Sequence, residues 1–220
     1  MKVWMCCVIA AICAAPVWAQ GGEVADEQEK LVAWTKAIAE FVGKERFSEA
    51  DLKSFLEHYD SFNEFGDDED EDQYFKDGKY RIDLMLEDED YVKWAEARGL
   101  DRTKWLKKAL RITAVVMKRQ SAGQFDQYLK MVEQQLADLE KQRAELGDEM
   151  YNQMKQAFEA GAAVTRKMQE AFRQLPDASD EEAKLLEKYK KEMSRIMEDD
   201  EGCGDDEGWG DEEEDEEGCE

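Results

Sequence analysis

The side chains best suited to chemistry in this chain are gathered in two acidic stretches and one cysteine pair. The first stretch is "DDEDED", six consecutive acids from Asp67 to Asp72. Hard divalent cations take oxygen ligands, so Asp67, Asp68, Asp70 and Asp72 are candidate ligands for Ca2+. The stretch is not an EF-hand loop. Counting from Asp68, the sixth position is Gln73, where the loop needs glycine, and the twelfth is Lys79, where it needs a bidentate glutamate. Without that turn, the expectation is loose and unselective binding, with a dissociation constant of about 1 mM.

The second stretch is "DDEGCGDDEGWGDEEEDEEGCE", Asp199 to Glu220. From Glu198 onward there are 15 acids in 23 positions and no Lys, Arg or His. Low hydrophobicity and uniform charge predict a disordered tail over 198–220. It holds Cys203 and Cys219, a candidate disulfide in an oxidising compartment. The spacing leaves open whether they pair with each other, pair with a neighbour or stay as thiols. The tail also holds one aromatic residue, Trp209.

Other reactive groups are few. The only histidine is His58, in "EHYD". Helical spacing turns it away from the apolar face of its segment, which predicts an exposed histidine with no nucleophile beside it. A hydrolase built on carboxylates is a remote alternative, since no acid pair in the helical segments has a spacing that supports it. Methionines such as Met117, Met131, Met150, Met154, Met168 and Met193 raise the thought of Cu(I). Their spacing is that of apolar helix stripes, where methionine is an adaptable packing residue, so no cofactor is expected beyond weak Ca2+.

The segments that carry these groups read as helix. Leu31, Trp34, Ile38 and Phe41 form one stripe in "EKLVAWTKAIAEFVG". Ser48 caps a second helix, whose face is Leu52, Phe55, Leu56, Tyr59 and Phe62. An acidic loop over 66–81 follows, and its Asp77–Gly78 pair between aromatic flanks predicts a short hairpin. Acids open "DEDYVKWAEARGL", and Gly99 closes it. Asp101 caps "RTKWLKKALRITAVVMKRQ", which is apolar almost all round and so predicts the centre of a bundle over 20–120. Its polar positions are nearly all basic, from Arg102 to Arg119. They are the expected counterpart of the acids at Asp67–Asp72 and Glu87–Asp90.

From Gln124 a heptad seam begins: Phe125, Leu129, Val132, Leu136, Leu139, Leu146 and Met150. Met154, Phe158, Val164, Met168, Phe172 and Leu175 continue it to Pro176. The predicted unit over 121–197 is therefore a long helical hairpin turning at Gly147, or one long helix bent there. Ser179 and Glu182 form a capping box for a last helix with Leu185, Leu186, Tyr189, Met193 and Ile196 on its face. The expected fold class is all-α.

Location and charge bound the function. Lys2, the apolar run "VWMCCVIAAICAA" and Ala19 form a signal peptide over 1–19, which predicts export and a mature chain from Gln20. No transmembrane segment is expected in that mature chain. Periplasm and secretion remain equal alternatives. Between signal and tail the body carries 40 acids against 29 bases, a net charge of −11. Nucleic acid and anionic membranes are therefore poor partners. The expected function is non-enzymatic protein–protein contact or self-association through the apolar seam over 125–175. The alternative is low-affinity cation sequestration by the acidic loop and tail.

Overall fold

The computed structural model describes residues 23–67 and 71–198. The expected signal peptide over 1–19, the acids Asp68 and Asp70, and the expected disordered tail with Cys203 and Cys219 lie outside the described residues. Among the described residues the fold is all-α apart from one two-stranded hairpin.

Among the described residues there are nine helices. Helix α1 is Glu23–Val42 and α2 is Glu49–Asp67. Strands β1, Phe75–Lys76, and β2, Lys79–Tyr80, pair antiparallel, with Phe75 opposite Tyr80. Then come α3, Ile82–Glu87, α4, Glu89–Ala97, and α5, Arg102–Ser121. Helices α6, Gln124–Leu146, and α7, Asp148–Gln174, are the longest. The chain closes with α8, Asp180–Lys188, and α9, Lys190–Glu198.

Local chemistry sets these boundaries. At the start of α2, the Ser48 hydroxyl accepts from the Asp51 amide while the Asp51 carboxylate accepts from the Ser48 amide at 2.8 Å. Asp88 accepts from the amides of Asp90 and Tyr91 at 2.9 and 3.0 Å, and Asp101 from that of Lys104 at 2.9 Å. The acidic loop expected over 66–81 contains the short hairpin expected at Asp77–Gly78. Helix α2 runs on to Asp67, a single 3-10 turn covers Glu71–Tyr74, and the hairpin follows. Asp77 and Gly78 sit at φ of 53° and 71°, the paired left-handed geometry of a tight hairpin turn.

Helix α5 lies at the centre, as its all-round apolar pattern predicts. Trp105, Leu106, Ala109, Leu110, Ile112, Ala114, Val115 and Met117 are all buried. Helices α1 and α2 pack on it. Trp105 meets Trp94 of α4 and Phe62 of α2, with ring centroids 4.8 and 5.0 Å apart. Such tilted aromatic pairs add about 0.5–1.5 kcal/mol each beyond area burial.

Gly147 settles the choice left open by the sequence. With φ 79° and ψ 158°, it ends α6 and starts α7 as a sharp turn, so the two helices form an antiparallel hairpin. That backbone region is essentially reserved for glycine. Asp148 is the first residue of α7 and accepts from Arg143 across the turn.

Candidate functional site

Three bases on one stripe of α5 hold together the two turns that bring distant helices to it. Lys108, Arg111 and Lys118 stand at positions i, i+3 and i+10, with Val115 between them at i+7, so they share one face. Lys108 donates to Glu45 at 2.5 Å and to the Arg46 carbonyl, fixing the turn between α1 and α2. Lys118 donates to the Leu175 carbonyl at 2.6 Å and pairs with Asp177 at 2.8 Å. It therefore places a cation at the carbonyl end of α7.

Arg111 is the deepest of the three, with its side chain 4% exposed; that of Glu182 is 1% exposed. Its guanidinium forks onto the carboxylate, Nε to Oε1 at 3.0 Å and Nη2 to Oε2 at 2.7 Å. Nη2 also donates to the Asp177 carbonyl at 2.8 Å. The Glu182 carboxylate accepts two backbone amides as well, from Phe47 at 3.1 Å and Ser179 at 2.8 Å. Burial raises the Glu182 pKa, but the Arg111 fork and the two amides outweigh it and hold the group at about 2. Glu182 is thus locked as an anion and unsuited to proton transfer near neutral pH. The site is a clamp: one carboxylate ties α5, the α1–α2 turn and the start of α8 together.

A second, exposed pair closes the same joint from outside. Glu49, at the start of α2, accepts from the Tyr189 hydroxyl at 2.5 Å and from Lys188 at 2.9 Å. The Tyr189 hydroxyl, followed by Lys188 and Lys53, lowers the Glu49 pKa to about 2.

Away from the clamp, the hairpin changes character along its length. Its inner end joins the main core through Phe125, Met168, Phe172 and Leu175, with the Phe125 and Phe172 rings 5.2 Å apart. Further out, Val132, Leu139, Tyr151 and Ala162 are buried but are not part of that core. Helices α6 and α7 pack most extensively on each other, in the manner of a coiled-coil seam, and α7 also rests on α1. Near the turn, Arg143 lies 4.7 Å over the Tyr151 ring, whose hydroxyl donates to Glu140. On this outer half Met131 is 40% exposed and Met150 52% exposed. Leu129, Leu136, Leu146, Met154 and Phe158 are half-buried.

The residues singled out by the sequence fall as follows. Asp67 is the last residue of α2, and Asp72 lies in the 3-10 turn. Among the described residues no three His, Cys, Asp or Glu side chains converge as a metal site requires. His58 is half-buried rather than exposed, because the Trp94 ring lies edge-on at 6.2 Å and covers it. The acids at Glu87–Asp90, expected to face the bases of α5, are used locally. Asp88 caps α4, while Glu89 and Asp90 pair with Lys93 at 3.8 and 2.9 Å. Lys108, Lys118 and Arg111 instead find Glu45, Asp177 and Glu182. No helix of the described residues is long and apolar enough to cross a membrane. No protein-family model, curated protein or solved structure matches the chain.

Proposed function

We propose that this is an exported, non-enzymatic protein that acts by protein–protein contact through the outer half of the α6–α7 hairpin. The observation that carries this reading is the exposure of Met131 and Met150 on a hairpin whose inner end is anchored in the core. Methionine is flexible and polarisable, and methionine-rich surfaces adapt to partner helices. The charged groups buried at the centre support a structural rather than catalytic use, since Arg111 and Glu182 satisfy each other and the backbone.

Size analysis of native extract separates contact from a bland surface. Wild-type protein should elute in a complex larger than the monomer. The double variant Met131→Gln with Met150→Gln should elute as the monomer with unchanged helix content. Identical elution of the two proteins would overturn the proposal.

A further inference from the structure

A groove of about 220 Å3 runs between α5 and the α8–α9 pair. Its floor is apolar, made by Val116, Leu186 and Met193, and two bases, Arg119 and Lys190, stand at its rim. The volume lies below the ~300–1,000 Å3 typical of small-molecule sites, and suits one large side chain. The rim carries two cations against one lining acid, Glu187, which sits 3.9 Å from Lys190. An anionic segment carrying one bulky apolar residue is the complementary ligand.

The chain itself contains such a segment. In "DDEGWGDEEE", Trp209 stands between two glycines and then between acids on both sides. The glycines let an indole approach a floor without neighbouring side chains in the way, and the acids supply partners for the rim. With no base between Glu198 and Glu220, this segment cannot neutralise itself.

Reach is not limiting. Ser194 lines the groove and precedes Trp209 by 15 positions. Helix α9 ends at Glu198, and the 11 positions from there to Trp209 span up to ~40 Å at full extension. A short tether of this kind gives an effective concentration in the millimolar range, so a single indole with a few ion pairs suffices for docking.

We infer that the groove is the docking site of the chain's own acidic segment, with Trp209 on Val116, Leu186 and Met193 and its flanking carboxylates on Arg119 and Lys190. The contact closes the acidic arm onto its own body and shields the α5–α9 face from other partners.

Fluorine NMR of the full chain carrying 5-fluorotryptophan tests this, with the Trp209 resonance identified by Trp209→Phe. The wild-type Trp209 signal should show a smaller solvent isotope shift than free fluorotryptophan. In Arg119→Glu with Lys190→Glu it should take the free value, while the Trp34, Trp94 and Trp105 signals stay in place. Ser194→Trp, which fills the groove with a competing indole, should release Trp209 in the same way. A Trp209 signal already at the free value in wild type, or one unmoved by both variants, overturns the inference.

Discussion

Arg111 of α5 and Glu182 of α8, 71 positions apart, meet as a buried two-pronged ion pair with contacts of 3.0 and 2.7 Å. The pair decides how the last two helices sit on the bundle, because Glu182 also receives the Phe47 amide from the α1–α2 turn. Removing one member leaves the other charge buried, which costs about 3–5 kcal/mol. Arg111→Met and Glu182→Gln should each lower unfolding stability on that scale, measured by urea titration. The double variant keeps one amide oxygen, enough for Phe47 or for Ser179 but not for both, since they use different oxygens of the carboxylate. It should lose less than the two single losses added, by about 1–3 kcal/mol of coupling.

The pH dependence follows from the same contact. The folded pKa of Glu182, about 2, lies below its ordinary 4.5. A lowered folded pKa means stabilisation that is complete above about 4.5 and lost as pH falls through about 2. The urea midpoint should therefore drop between these values, and drop less steeply in Glu182→Gln. Part of the fall should persist in that variant, because Glu49 is also held at about 2 and acts in the same window.

At the hairpin turn, Gly147 holds a backbone geometry that a Cβ strains, at φ 79° and ψ 158°. Gly147→Ala should cost about 1–3 kcal/mol. Amide hydrogen exchange should accelerate around residues 140–155 and remain unchanged in α5, placing the strain at the turn.

Seam and surface of the hairpin should respond differently. Leu139 is buried between α6 and α7, so Leu139→Ala should destabilise by about 2–5 kcal/mol. Met150→Gln should stay within about 0.5 kcal/mol of wild type, since the side chain is 52% exposed. Thermal denaturation of both variants, beside their elution in native extract, distinguishes a packing residue from a contact residue.

Much of this architecture is legible in the residues. Apolar spacing alone gives α1, α2, α5 and the α6–α7 seam, and Ser179 with Glu182 announces the start of α8. The second role of Glu182 is not legible, because a capping glutamate looks the same whether or not an arginine reaches it from 71 positions away. A partial signal does exist in α5: Lys108, Arg111 and Lys118 share a stripe with the apolar Val115. That pattern marks bases turned toward structure rather than water, but it does not name their acids. Charge complementarity pointed to the acidic runs at Asp67–Asp72 and Glu87–Asp90. The fold chose Glu45, Asp177 and Glu182, because these flank the turns that α5 must hold. The hairpin at Gly147 was open for a related reason. A glycine inside a helix costs only about 1 kcal/mol, so the heptad pattern reads through it unbroken.

Site-specific photo-crosslinking in the producing cell tests the central claim most directly. A benzophenone amino acid placed at Met150 or Met131 should give discrete cross-linked species on irradiation. The same group at Lys93, an exposed position on α4, should give none. Cross-links that are absent at all three positions, or equal at Lys93 and Met150, would contradict a contact made through the hairpin.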